Sequence, residues 1–253
     1  MPTGLPGADS DVVVTHEIGG DTLLKLSNQL FGKNPAFWGR YFKQRGGTSS
    51  QLYHAAIESP VLSAAKIKLA PLSQHTPDVG GSASTGQIEA HSDVDAILDA
   101  FAVAHLAAQG TEFLVFLDIE PGRNLSMDYY TGWSQALKSY SAQKSGGAFT
   151  FLPAVYSNRL NTAWQIVSAA IGKGGGAVTC SGWWVAGWYS HGGCIVPGKW
   201  DNGMAIPQGI AHPSPVLIWQ YSNDCHGQHG IDCNQSNPNI DVNGLLMNRL
   251  IQP

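Results

Sequence analysis

Charge is scarce in this chain: only 13% of its 253 residues are Asp, Glu, Lys or Arg, about half the share usual in a globular protein. The polar surface must come from Ser, Thr, Asn, Gln and Gly, a composition common among exported proteins. With 14 basic against 18 acidic residues and a net charge of −4, the basic patch that a nucleic-acid binder needs is missing. No run of 18 apolar residues occurs, so no membrane-spanning helix is expected. The first residues, Met1-Pro2-Thr3-Gly4-Leu5-Pro6-Gly7, hold neither a basic segment nor an apolar core, so no signal peptide is expected in this chain. A Gly-Lys-Ser/Thr phosphate cradle, a His-Glu-x-x-His helix and a Gly-x-Ser-x-Gly turn are all lacking, and no Gly-x-Gly-x-x-Gly follows the first strand. Nothing here calls for a nucleotide, a metal or any other cofactor.

Cysteine is sparse too, and its four copies, Cys180, Cys194, Cys225 and Cys233, all fall in the last third of the chain. An even number in two local pairs predicts the disulfides Cys180–Cys194 and Cys225–Cys233 and an oxidising compartment. Two rivals stay open. Cys225, His226, His229 and Cys233 could hold a metal, although their spacing fits no familiar zinc pattern, or all four thiols could be free.

What the chain does have is one unusually apolar stretch. Residues 113–119, Phe-Leu-Val-Phe-Leu-Asp-Ile, are apolar except for Asp118, with Glu120 and Pro121 following. A run of this kind reads as a strand covered on both faces, as in a parallel sheet packed between helices. Side chains alternate along a strand, so Asp118 and Glu120 share one side with Cα atoms roughly 6.5 Å apart, while Leu117 and Ile119 point the other way. A buried carboxylate costs several kcal/mol unless it is paired or used. Two on one side of a buried strand end therefore point to catalysis.

The rest of the chain alternates strand and helix about eight times. Strands are expected over residues 11–17, 36–42, 67–72, 113–119, 149–156, 183–189, 216–221 and 231–234. Helices are expected from Asp21 onward, from Ser49 and Ser50 to about residue 65, over 92–109, from Ser126, over 161–171 and over 242–250. Residues 76–90 and 190–213 read as loops, and residues 1–8 as a flexible start to a single domain. Eight such repeats without a second periodic system predict one (β/α)8 barrel spanning residues 1–253.

In such a barrel the site lies at the C-terminal ends of the strands. Those ends carry Arg40 and Tyr41, Gln74, Asp118 and Glu120, Tyr156, Trp188 and Tyr189, Gln220 and Tyr221, and Asp232. Acids, amides and aromatic rings suit a carbohydrate: rings stack on sugar faces, and amides and carboxylates bond hydroxyl and acetamido groups. Glycoside hydrolysis needs a pair of carboxyl groups, one of them protonated to assist the leaving oxygen. Glu120, beside apolar Phe116, is the better candidate for a raised pKa. Plainer roles compete: Arg40 could pair a carboxylate, Trp219 and Tyr221 could fill the core with Gln220 facing the lumen, and Asp232 and Asn234 could shape a turn.

The Asp118-Ile-Glu120 strand end, Val-Tyr156-Ser, Trp184-Val-Ala-Gly-Trp-Tyr189, and Trp219-Gln-Tyr221 followed by Asp232-x-Asn234 resemble the lysozymes of glycoside hydrolase family 25. Trp38-Gly-Arg-Tyr-Phe42 is similar to a related barrel group, the glycoside-hydrolase-like domain DUF1906. The resemblance implies a muramidase that cleaves the β-1,4 bond after N-acetylmuramic acid in peptidoglycan. It implies Glu120 as general acid and Asp118 as the group that orients a substrate acetamido nucleophile. It also implies acids at the last strand, Asp232, and the first, Asp9 or Glu17. Arg40, Gln74, Tyr156, Trp188, Gln220 and Tyr221 are the further substrate contacts expected. A secreted or periplasmic lysin or antibacterial effector, with an immunity or delivery protein as partner, fits this reading. The alternatives are another glycan or aminoglycan hydrolase and a non-catalytic cell-wall-binding barrel.

Overall fold

The apolar run around Phe116 is a barrel strand in the computed structural model, which describes residues 4–44, 51–75, 78–120, 122–207 and 214–253. Eight strands close the barrel: β1 Pro6–Asp9, β2 Phe37–Gln44, β3 Lys68–Gln74, β4 Glu112–Ile119, β5 Thr150–Asn158, β6 Trp183–His191, β7 Val216–Cys225 and β8 Ile231–Ser236. From β2 to β7 each strand pairs in parallel with the next, and β1 pairs in parallel with β2. The (β/α)8 architecture is therefore present, with one departure from an all-parallel sheet. β8 runs antiparallel to both β7 and β1, because only residues 226–230 separate it from β7, too few for a crossover helix. The turn is made with positive φ at Asp224, His226, Gly227 and His229.

Leu114 and Phe116 join Phe37, Leu72, Trp184 and Ile218 in a closed apolar lumen, whereas Phe113, Val115, Leu117 and Ile119 belong to the layer under the helices. Phe116 meets the Trp184 ring edge-on at 5.3 Å. A filled lumen leaves only the rim for a ligand. Leu246 and Leu250 pack into the same cluster. Residues 242–250 are accordingly not one helix but a short turn of helix, Val242–Leu245, and a 3-10 turn, Met247–Arg249.

The first strand is Pro6–Asp9, not residues 11–17, so residues 6–8 are no flexible start. Its signal is weak because it contains Gly7, where a Cβ would lie 2.1 Å from the Phe37 ring. The β-branched stretch after it buries Val12 and Val14 outside the sheet, and Glu17 begins a small two-stranded hairpin.

Helix α1 (Leu23–Phe31) is capped by Thr22 rather than Asp21. α2 is Ala55–Ala64, and Ser49 and Ser50 lie outside the described residues. α3 (Ala83–Ala100) starts inside the supposed loop, capped by Ser82, and a separate α4 (Val103–Ala107) follows. The small polar residues that mimic a loop serve close packing instead. A Cβ on Gly86 would lie 2.2 Å from Tyr129 O, and one on Gly132 would lie 2.0 Å from Ala83 O. Gly86 belongs to α3 and Gly132 to α5 (Met127–Lys144), which starts after Ser126 as expected. α6 is Ala163–Lys173, and the stretch before β7 contains a short helix, Asn202–Ala205.

α3 is tied to the end of β3 by a buried histidine. His75 Nε2 lies 2.7 Å from Asp93 Oδ1 and Nδ1 pairs with Glu89, while Trp133 Nε1 donates to Asp93 Oδ2 at 2.8 Å. Burial opposes the imidazolium, but the two carboxylates win and push the His75 pKa up to about 9. A pKa raised on folding gives stability that is complete below about pH 6.5 and is lost as pH climbs through 9, on the order of 2–3 kcal/mol. Thermal melts should show the parent losing this increment between pH 7 and 9.5 while His75→Gln stays flat there. Parallel losses in both proteins would refute the assignment.

The disulfide pairing differs from expectation: Cys194 is bonded to Cys225, and Cys180 and Cys233 are buried free thiols. Cys180 precedes β6 and Cys194 follows it, so the nine residues of β6 hold them roughly 30 Å apart. Cys225 ends the neighbouring parallel strand and so meets Cys194 at the same rim. Because Cys225 is bonded, the rival metal set loses one thiolate. Thiol titration in denaturant without reductant should count two thiols, rising to four after reduction, with none reactive in the native protein. A count of zero or four before reduction would contradict this arrangement.

Candidate active site

Alternation places Tyr41, Gln74, Asp118, Tyr156, Gln220 and Asn234 on the lumen side of their strands, stacked above the apolar plug. Asp118 is fully buried. Its Oδ2 accepts from Tyr41 Oη at 2.8 Å and from Gln74 Nε2 at 3.1 Å. The same Gln74 nitrogen reaches Glu120 Oε1 at 3.1 Å, so the two carboxylate oxygens are at most about 6 Å apart. Glu120 is half-buried at the mouth, above Asp118. Asp118 Oδ1 is buried without a hydrogen-bond partner among the described residues, so it is an acceptor with bonding capacity to spare.

A second pair of acids faces this one across the rim. Asp9 ends β1 directly opposite Asp232 of β8, and β8's reversed direction brings its N-terminal end to the catalytic face. Asn234 Nδ2 donates to Asp9 Oδ1 at 2.6 Å. Gln220 Nε2 donates to Asp232 Oδ2 at 2.9 Å and to Asp9 Oδ1 at 3.3 Å. Its Oε1 accepts from Tyr156 Oη at 2.9 Å and from Trp188 Nε1 at 2.6 Å. Every polar atom of Gln220 is used, which fixes its amide and links the aromatic wall to both acids. Trp184 lies beneath, its Nε1 donating to Asn234 Oδ1 at 2.8 Å and its ring 5.4 Å from that of Tyr156. Gly39 makes room for it: a Cβ there would lie 2.5 Å from the Trp184 ring.

The cleft between the pairs has a volume of about 280 Å³ and is lined by Asp9, Tyr41, Gln74, Glu120, Asp224 and Asp232, with Asp11 and His229 on one edge. Asp11 and His229 pair with each other at 2.8 Å. Among the described residues no Lys or Arg lines it, so protons offset the accumulated charge. Burial pushes Asp9 up to about 7, against the pull of Asn234 and Gln220. Asp118 is held well above the carboxylate range by burial first and the Glu120 charge second. Burial raises Glu120 as well, opposed by Gln74. Asp232 is raised by burial and then by Asp9. Four coupled acids of this kind retain protons at pH values where free carboxylates have lost them.

Two expected contacts stand elsewhere. Arg40 is fully buried on the helix side of β2, its Nε 2.8 Å from Glu58 Oε2 and its Nη1 2.6 Å from Ser10 O. Tyr221 lies in the outer layer beside Trp219, rings 5.6 Å apart. Each is one residue out of phase with the lumen-facing neighbour, Tyr41 and Gln220 respectively. Tyr41, Trp184 and Asn234 are the additional members of the site. The two-residue period, counted from Asp118 across paired strands, was the signal that could have selected Tyr41 over Arg40. At the first strand Asp9 joins the other acids, and Glu17 is exposed in its hairpin.

No protein-family model and no curated protein sequence matches the chain. Solved structures do match over nearly its whole length. An uncharacterised Bacillus stearothermophilus protein aligns with a TM-score of 0.65 at 20% identity, covering 98% of this chain and all of that one. The Clostridium perfringens spore cortex lytic enzyme SleM aligns with a TM-score of 0.58 at 13% identity, covering 95% of this chain and 69% of that one. GHIP, a glycosyl hydrolase 25 of Streptococcus pneumoniae, aligns with a TM-score of 0.52 at 12% identity, covering 98% and 94%. The chain thus has the fold of family 25 glycosyl hydrolases.

Proposed function

We propose that this barrel is a muramidase that cleaves the β-1,4 bond after N-acetylmuramic acid in peptidoglycan. The observation that carries the reading is the Gln74 amide bridging Asp118 and Glu120 at 3.1 Å each, with Glu120 at the mouth and Asp118 below it. Burial raises both acids, so the pair keeps a proton where free carboxylates would be ionised, and Glu120 is placed to give it to the leaving glycosidic oxygen. Asp118 Oδ1, with no partner among the described residues, suits an acetamido N–H. Held there, the acetamido oxygen would attack the anomeric carbon as the glycosidic oxygen leaves with the Glu120 proton, and water, deprotonated by Glu120, would then open the resulting ring at that carbon, with net retention. The separation of about 6 Å or less supports this, since inversion needs roughly 6.5–9.5 Å to seat a water between two carboxyl groups. Asp9 and Asp232 form the far wall, and Gln220, itself held by Tyr156 and Trp188, bonds both from behind. Fold likeness to a spore cortex lytic enzyme and a glycosyl hydrolase 25 agrees with this chemistry.

Among the described residues no helix is long and apolar enough to cross a membrane. A disulfide at the rim and a lightly charged surface favour work outside the reducing cytosol, as a lysin or as an effector paired with an immunity protein.

Digestion of purified peptidoglycan, followed by mass spectrometry of the fragments, is the test. Fragments ending in reducing muramic acid, first released with the retained anomeric configuration, are expected. Ends in reducing glucosamine would move the assignment to another glycan bond. Binding without fragments would make the barrel a cell-wall-binding module.

A further inference from the structure

Two concavities open at the rim near Glu120. One is the acid cleft. The other, about 460 Å³, lies on the β5–β6 side and is lined by Arg123, Asn124, Asn158, Leu160, Asn161 and Trp188 among others. Two links tie it to the acids. Arg123 N donates to Glu120 O at 3.2 Å, which holds the Arg123 backbone against that of Glu120. Trp188 forms another wall and also donates to Gln220 inside the acid network. Leu160 is 71% exposed, so with Trp188 it offers apolar surface for the flat face of a sugar.

Charge is what distinguishes this concavity. Asp9, Asp11, Glu120, Asp224 and Asp232 line the acid cleft, which offers a carboxylate no guanidinium or ammonium partner among the described residues. Among the described residues Arg123 is the one guanidinium or ammonium group lining either space. It is exposed, and its side chain has no salt-bridge or hydrogen-bond partner among the described residues. A guanidinium with no partner among the described residues is open to a bidentate bond to a carboxylate, which outweighs the cost of ordering its side chain.

We infer that this concavity is a subsite for a carboxylate-bearing amino sugar, with Arg123 pairing the carboxylate. The inference rests on the muramidase reading: the muramyl sugar carries a lactyl carboxylate that N-acetylglucosamine lacks. Arg123 thereby makes the site select muramyl glycan over a neutral chitin-type chain.

The test measures binding of N-acetylmuramic acid and of N-acetylglucosamine to the parent, Arg123→Met and Arg123→Lys by titration followed in NMR spectra. The parent is expected to bind the acid roughly tenfold more tightly, the factor that a charge-assisted bond supplies. Arg123→Met should bind both sugars equally, and Arg123→Lys should keep part of the preference. On peptide-free glycan strands Arg123→Met should raise KM with kcat unchanged. Equal binding of both sugars by the parent, no binding of either, or an undiminished preference in Arg123→Met would overturn the inference. Binding does not depend on turnover, so absence of cleavage by the parent would remove the muramidase reading while leaving the carboxylate preference to be judged by itself.

Discussion

Glu120→Gln should lower kcat on peptidoglycan about a thousandfold, within the range that a general acid contributes, while leaving the melting temperature nearly unchanged. Gln is isosteric and can still face the Gln74 amide, whose nitrogen lies 3.1 Å from Glu120 Oε1 in the parent. What it cannot do is supply a proton. A glycoside with an activated phenolate leaving group needs no such proton, so on that substrate the variant should recover most of the parental rate. Asp118→Asn makes the contrasting case, because an acetamido anchor serves bond formation whatever the leaving group, and both substrates should suffer alike. The pH profile separates the roles further. Activity that requires protonated Glu120 falls as pH rises through its elevated pKa, and on the activated substrate that alkaline limb should vanish in Glu120→Gln. Equal losses on both substrates would remove Glu120 as the acid.

Much of this arrangement was legible in the chain. The apolar run ending in two acids identified β4, its place as the fourth of eight strands, and the inward face shared by Asp118 and Glu120. Glycine and small polar residues hid the rest, since they serve contacts that no local pattern displays. Gly7 in β1 and Gly86 in α3 are needed where another chain segment would lie 2.1 and 2.2 Å from an added Cβ. Both positions therefore read as loop. The reversal of β8 follows from the short turn at residues 226–230, a length visible in the sequence but outweighed by the alternation before it. Cys194 and Cys225 are 31 residues apart, and only a strand's length between Cys180 and Cys194 explains why neighbours in sequence do not pair.

Glu58→Ala should be the most destabilising single change on the β1–β2 side of the barrel, by about 3–5 kcal/mol, or roughly 10 °C in melting temperature for a chain of this size. Glu58 was not singled out by any motif, yet it is fully buried and accepts four bonds: from Arg40 Nε at 2.8 Å and Nη2 at 3.3 Å, from His54 N at 2.8 Å and from Val14 N at 3.1 Å. Removing it leaves a guanidinium that cannot lose its proton in a closed apolar layer. Arg40→Met should be milder, because the stranded carboxylate can take up a proton and keeps its two backbone donors. This ordering, Glu58→Ala worse than Arg40→Met, is the measurable signature of a buried charge without an escape, and calorimetry at pH 7 would reveal the reverse if the pair were merely packing. The loss should also reach the chemistry. Arg40 Nη1 holds Ser10 O at 2.6 Å, one residue beyond Asp9, and Ser10 Oγ accepts from Trp38 Nε1 at 3.0 Å. Without Glu58 the guanidinium is free to shift and that grip loosens, so turnover in Glu58→Ala should fall at temperatures well below its own melt. Arg40 thus serves the site from the far side of the sheet, by holding the strand that carries an acid rather than by touching the sugar.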